Sequence, residues 1–276
     1  MSNMLTVTEN LKKLTTALST DGSYRVHYDL EKYLGKPIRL RYTGKIHCCH
    51  CGRLTAKSFS QGYCFPCFRS QAQCDSCIVM PEKCHFHKGT CRDESWALAH
   101  CMQQHIIYLA NTSGIKVGIT RATQLPYRWM DQGATQVLPI FQVDSRYQSG
   151  LLEVICKAHV ADKTNWRTML SGKGTAVDLL AARDQLLAQI APQVAALREE
   201  CGEAAIINLD KAECIPLNYP VLQYPATIKA LNLDKNPIVE GVLQGIKGQY
   251  LLLDSGVLNI RKFTGYEVVW EFVYTG

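Results

Sequence analysis

Thirteen cysteines lie in this 276-residue chain, and ten of them fall between Cys48 and Cys101. Cys48-x2-Cys51, twelve residues, then Cys64-x2-Cys67 has the spacing of a zinc ribbon. Each C-x2-C turn can offer two sulfurs to one tetrahedral ion, and two such knuckles close the site. Gly52 and Gly62 stand where the backbone must turn beside the knuckles. Cys49 and His50, inside the first knuckle, are less favoured as ligands than these four cysteines. A second pair, Cys74-x2-Cys77, begins seven residues later, with Cys84, His85, His87 and Cys91 available to close it. Cys74, Cys77, Cys84 and Cys91 form the favoured second set, and His87 in place of Cys84 or Cys91 is its main competitor. Cys101, beside His100 and His105, either completes a third or alternative site or is a buried thiol next to a strand. Four thiols per module make a cage rather than an open catalytic position, so the expected cofactor is structural zinc, two ions in all.

Downstream, a second constellation could do different chemistry. Tyr108 and Lys116 fall on two apolar strand-like runs, Ile106 to Ala110 and Ile115 to Ile119, joined by the turn Asn111 to Gly114. Arg128 lies on a short amphipathic helix and Glu153 on a later one. Cleaving a phosphodiester needs charge stabilisation, which a planar Arg128 can give bidentately. One carboxylate with several waters is a normal Mg2+ arrangement, which is the role open to Glu153. Tyr108 and Lys116 could orient or deprotonate water. Each side chain also has an ordinary reading. Glu153 and Lys157 form an i,i+4 pair, Arg128 can pair with Asp131 or Glu153, and Tyr108 can be core. Trp129 and Trp166 can be stacking platforms or packing.

Ile106-Ile107-Tyr108, a hairpin turn, Lys116-Val117-Gly118, then Leu125-x2-Arg128 and a helix bearing Glu153 resemble the GIY-YIG nuclease superfamily. Ile107-Tyr108 stands at the first motif and Lys116-Val117-Gly118 at the second. Ile106 replaces the first glycine and Lys116 the second tyrosine, which leaves Tyr108 as the motif's tyrosine; the spacing between the two motifs is short. The resemblance covers about sixty residues and implies a divalent-metal-dependent endonuclease using Mg2+ or Mn2+, with Tyr108, Lys116, Arg128 and Glu153 as its catalytic residues. The whole chain also resembles an uncharacterised cysteine-rich microbial family with zinc-type cysteines directly before such a core.

Charge gives less than its total suggests. The formal +6 falls to about +2 if two four-thiolate zinc sites form, so its distribution must carry the argument. Arg53, Lys57, Arg69, Lys83, Lys88 and Arg92 surround the cysteines, with Tyr63, Phe65 and Phe68 interleaved, a mix suited to phosphate contact and base stacking. Around the second constellation, Lys116, Arg121, Arg128, Arg146, Lys157, Lys163 and Arg167 outnumber Asp131, Asp144, Glu153 and Asp162. The expected partner is nucleic acid, DNA or RNA. The alternatives are a non-catalytic nucleic-acid-binding protein, or a zinc-stabilised scaffold that binds a protein through its C-terminal strands. No apolar run is long enough for a membrane span, and Glu9, Lys12 and Lys13 precede any long apolar block; the expected location is cytoplasmic.

The elements that must position these groups read as α+β. Thr8 to Leu18 has the spacing of a short helix, and Tyr24 to Leu30 and Ile38 to Tyr42 alternate as strands do. Helices are expected over Leu125 to Gln132, Tyr147 to Asp162 and Val177 to Glu200, the last kinked or broken at Pro192. A strand is expected over Gln136 to Val143. Five strands follow from Thr227, with turns at Lys247-Gly248 and Asp254-Ser255-Gly256, as a small barrel or curled sheet that the N-terminal strands could join. The expected segments are 1–45, the zinc-binding module 46–101, a GIY-YIG-like mixed sheet with helices over 102–175, a helical segment 176–215 and a C-terminal all-β region 216–276.

Overall fold

The computed structural model describes residues 3–160 and 163–274. Its strands, in chain order, are β1 (Asn3–Asn10), β2 (Thr16–Leu18), β3 (Val26–Tyr28), β4 (Pro37–Ile46), β5 (His105–Asn111), β6 (Ile115–Arg121), β7 (Gln136–Val143), β8 (Ile206–Asn208), β9 (Ile215–Pro216), β10 (Ile238–Lys247), β11 (Tyr250–Leu253), β12 (Gly256–Asn259) and β13 (Tyr266–Tyr274). The helices are α1 (Phe65–Ser70), α2 (Glu94–His100), α3 (Tyr127–Asp131), α4 (Arg146–Lys157), α5 (Trp166–Leu170) and α6 (Leu179–Cys201), with several 3-10 turns between them. The fold is mixed α+β. The described residues form two compact units. One comprises the chain up to Arg69, Leu170–Lys173 and everything from Asn218; the other comprises Ser70–Met169 and Gly174–Leu217.

The first unit is built on a six-stranded sheet in the order β1-β13-β4-β10-β11-β12. Strands from both ends of the sequence share it, all antiparallel, and β1 and β12 remain its edges, so the expected barrel is not closed. The Thr8–Leu18 helix is absent: β1 runs to Asn10 and lies against β13 along its length, from Asn3↔Tyr274 to Asn10↔Glu267. That ladder satisfies the backbone of a β-branched Thr6-Val7-Thr8 run, which a helix would crowd. Leu11 and Leu14 are buried as the helical spacing implied, but in extended chain. There the Gln249 side chain stands in for a strand, accepting from Leu14 N at 2.6 Å and donating to Leu14 O at 3.2 Å. Thr227–Leu231 is likewise not a strand; one isolated bridge, Ala230↔Val257, ties it to β12.

The second unit carries a five-stranded sheet, β6-β5-β7-β8 with β9 also on β7. One face holds Ile107, Leu109 and Val117 against Leu152 and Cys156 of α4 and Leu186, Ile190 and Val194 of α6. Each such fully buried aliphatic side chain contributes about 1.5–3 kcal/mol. The buried residues of α6, Leu179, Leu186, Ile190, Val194 and Leu197, recur every three, four or seven positions and so line one stripe. Pro192 does not break α6. It and Ala188, whose carbonyl loses its partner, are both exposed, so water can replace the missing hydrogen bond. The helix at Arg128 is shorter than expected, α3 following a 3-10 turn at Ala122–Gln124. Ser145 caps α4 by accepting from Gln148 N, and the helix ends at Lys157; Asp162 lies outside the described residues. No helix among the described residues is long and apolar enough to cross a membrane.

Candidate functional site

β4 leads directly into the first cysteine knuckle. Cys48 N donates to Arg53 O and Gly52 N donates to Cys48 O, both at 2.9 Å, closing a turn in which Gly52 takes φ +72°. The second knuckle is set by Phe59 and Tyr63, which exchange backbone hydrogen bonds at 2.8 Å, and by α1, which starts just after Cys64 and carries Cys67. The sulfurs of Cys48, Cys51, Cys64 and Cys67 lie within 4.8 Å of one another. Cys48, Cys64 and Cys67 are buried under Tyr63, whereas Cys51 is exposed. Cys49 stays outside this quartet: a Cβ at Gly62 would lie 2.9 Å from its sulfur, so it occupies the space that glycine leaves. Sites with four converging thiols hold a metal ion such as zinc.

The electrostatics suit thiolates. Burial opposes ionisation of Cys48, but the backbone N–H groups of Cys51, Cys64 and His50 outweigh it and bring its pKa down to about 6. Burial, then the sulfurs of Cys64, Cys51 and Cys48, push Cys67 up, since one uncompensated negative charge resists a second. A divalent cation removes that conflict. Arg53 Nε–H also donates to Cys51 Sγ at 3.1 Å. Around the quartet, Phe59 packs against Phe65 and Phe68 at 5.5 and 5.6 Å, Lys57 lies over Phe59 at 5.3 Å, and Arg69 over Phe65 at 5.9 Å. Phe65 is 50% exposed, so an aromatic face flanked by cations is open to solvent.

The later cysteines belong to the second unit. Cys74, Cys77 and Cys84 are buried and Cys91 is partly buried. The donor atoms that lie within 4.8 Å of one another here are those of Asp75, Cys77 and His85. Asp75 had not stood out in the sequence. It accepts from Cys77 N at 3.2 Å, pairs with Arg92 at 2.7 Å and approaches His85 Nε2 at 3.6 Å.

The second constellation lies on the sheet and the helices beside it. Tyr108 is at the centre of β5 with 0% exposure. Its hydroxyl accepts from Gln132 Nε2, and the Arg128 side chain also hydrogen-bonds it. Burial pushes the Tyr108 pKa up, the Arg128 charge and the Gln132 and Arg128 hydrogen bonds pull it down, and Glu153 adds a smaller upward push. Tyr108, Arg128 and Glu153 are thus electrostatic neighbours. Trp129 is buried edge-on to Tyr108 at 6.0 Å, which makes it packing. Tyr108 pairs with Gly118 and Ala110 with Lys116 across the β5–β6 ladder, so Lys116 and Tyr108 share a face; Lys116 is buried. Glu153 is paired with Lys157 at 3.3 Å, its side chain 14% exposed. Gln132, one helical turn after Arg128, escaped the sequence reading; its i+4 position on the same short helix was the available signal.

His105, at the start of β5, is buried. Its Nδ1–H donates to Gln103 O at 2.6 Å and its Nε2 has no hydrogen-bond partner. Burial, with Arg146 and Arg121 nearby, lowers its pKa to about 4, so the ring is neutral.

The sequence matches a family described as a protein of unknown function (DUF2797) over residues 35–268, a span that includes both cysteine groups and the Tyr108–Glu153 stretch. No curated protein and no solved structure matches the chain. With most of its length inside that match, the chain belongs to the DUF2797 family.

Proposed function

We propose that the protein is a zinc-containing nucleic-acid-binding protein whose second unit carries a GIY-YIG-like phosphodiester site. The observation that supports this reading most is the neighbourhood of Tyr108, Arg128 and Glu153, drawn from a strand and two helices. The β6-β5-β7 order, with α3 and α4 before and after β7, also agrees with it. Arg128 would hold the phosphate and offset charge in the transition state. Tyr108, its hydroxyl fixed by Gln132 and Arg128, would orient the attacking water, and buried Lys116 would add positive charge on the same face. Glu153 is the carboxylate of this cluster, and one carboxylate with water completing the shell is a donor set Mg2+ or Mn2+ accepts. Such an ion would supply charge neutralisation at the phosphate oxygens. Zinc in the Cys48, Cys51, Cys64 and Cys67 quartet would hold the exposed Phe65 face and its cations in place for stacking and phosphate contact.

One observation favours a second reading, nucleic-acid binding without cleavage. Glu153 already pairs with Lys157, and Tyr108 is closed to solvent. The test is cleavage and binding of labelled single-stranded, duplex and branched DNA and RNA in Mg2+ or Mn2+. Cleavage lost in Arg128→Ala with binding retained supports the nuclease. Binding that weakens steeply with salt, without cleavage in any ion, supports the second reading. Absence of both overturns the proposal.

A further inference from the structure

The second unit gathers a carboxylate, a thiol and an imidazole that cysteine spacing does not single out. The donor atoms of Asp75, Cys77 and His85 all lie within 4.8 Å of one another. Cys77 is buried, and Asp75 and His85 are partly buried. Among the described residues no further His, Cys, Asp or Glu donor joins all three within that distance.

Short turns aim these groups. Asp75 caps the 3-10 turn Ser76–Ile78, its Oδ1 accepting from Cys77 N and from Ser76 Oγ, both at 3.2 Å. Arg92 Nε–H holds Asp75 Oδ2 at 2.7 Å. His85 follows the turn Pro81–Lys83, which packs so closely on α4 that a Cβ at Gly150 would lie 2.4 Å from Glu82 N. The next turn, Phe86–Lys88, ends at Gly89 with φ +66° and brings Thr90 back to His85. Thr90 Oγ1–H donates to His85 O at 3.3 Å, and a hydroxyl has one hydrogen, so the 2.8 Å contact with His85 Nδ1 is donated by the ring. In the neutral ring Nε2 is then a lone pair, and it faces Asp75 Oδ1 at 3.6 Å. Two acceptors turned toward each other beside a thiol call for a cation between them. That separation is too long for a hydrogen bond. It matches two ligands of one tetrahedral ion, which stand about 3.3–3.6 Å apart for bonds of about 2.0–2.2 Å.

We infer that Asp75, Cys77 and His85 hold a divalent metal ion in the second unit, with water as its fourth ligand. A thiolate, an imidazole and a carboxylate in a tetrahedral set suit zinc. The carboxylate and the thiolate offset the charge of the ion, so this site is neutral, unlike a four-thiolate cage. Thr90 and Arg92 form an outer layer, each fixing the ligand atom that does not face the ion: Nδ1 of His85 and Oδ2 of Asp75. Three protein ligands and one water leave an exchangeable position, which the Cys48 quartet lacks. In this assignment Asp75 and His85 take the places that spacing gave to Cys74, Cys84 and Cys91. The inference does not depend on the nuclease reading.

Metal counting on the full zinc-saturated chain, with zinc-edge absorption, tests it. His85→Ala, a change at a partly exposed side chain, should lower the zinc content of the wild type by one ion, and Cys91→Ser should leave it unchanged. Thr90→Val should weaken the same ion by about 10- to 100-fold in chelator competition, as loss of an outer partner does. Cys64→Ser disrupts the first quartet, so the absorption edge of that variant reads the remaining site. One sulfur at about 2.3 Å with nitrogen and oxygen at about 2.0–2.2 Å supports the inference. Four sulfurs there, an unchanged zinc content in His85→Ala, or an ion lost in Cys91→Ser but kept in His85→Ala would overturn it. If Cys64→Ser does not fold, the His85→Ala and Cys91→Ser counts decide alone.

Discussion

Gly118 stands directly across the β5–β6 ladder from Tyr108, and a Cβ there would lie 2.7 Å from the tyrosine Cζ and 2.8 Å from its hydroxyl oxygen. The glycine of the second motif thus makes room for the tyrosine of the first. Its use here is space rather than an unusual backbone angle.

Gly118→Ala should therefore displace the Tyr108 ring and lower stability by about 1–3 kcal/mol, the usual cost of overpacking a core. Gly174→Ala is the control, because a Cβ there meets nothing within 4 Å. It should change stability by less than about 0.5 kcal/mol. Denaturant unfolding of the two variants checks the difference.

Cys64→Ser should release one metal ion and destabilise the knuckles, since Cys64 is buried at the centre of the quartet. Elemental analysis reads the loss; unchanged metal content would remove Cys64 from the ligand set.

On the proposed nuclease reading, Arg128→Ala and Glu153→Ala should each lower the cleavage rate by about 100-fold or more while leaving nucleic-acid affinity within a few-fold of wild type. Tyr108→Phe removes an acceptor that Gln132 and Arg128 share and, on the same reading, should affect rate more than affinity. Single-turnover cleavage beside equilibrium binding separates the two effects.

His105 supplies a pH dependence. Its folded-state pKa of about 4 lies below the ordinary 6.5, so the unfolded chain takes up its proton first. The stability gained by burying the neutral ring is fully present above about pH 6.5 and is lost as pH falls toward about 4, by up to about 3 kcal/mol. His105→Gln should flatten the wild-type loss of stability between pH 7 and pH 5. Identical slopes in the two proteins would show that His105 carries none of it.

Much of the second unit could be read from the sequence because its signals are local. β7 spans the residues expected of it, Gln136 to Val143, and β5 and β6 exceed their marked runs by one or two residues at their ends. The turn between them needs no distant partner. The N-terminus could not be read this way: β1 is a strand because β13, at the other end of the sequence, pairs with it. Leu11 and Leu14 are spaced for a helix and buried without one. At the sites the same rule holds. The first knuckles are close in sequence and converge, while Cys77 of the second cysteine group lies instead with Asp75 and His85, a grouping the cysteine spacing does not record. Tyr108, Arg128 and Glu153 were visible as motif residues; Gln132 emerged only once its helix was placed.

The proposed nuclease chemistry requires Glu153 to serve a divalent ion beside Arg128 and Tyr108. Crystals grown in Mn2+ with an uncleavable oligonucleotide, measured at the manganese absorption edge, test it most directly. The expected result is an anomalous peak at the Glu153 carboxylate, Lys157 displaced, and a phosphate held by Arg128. Glu153 still paired with Lys157, with no manganese peak and no phosphate at Arg128, would contradict it.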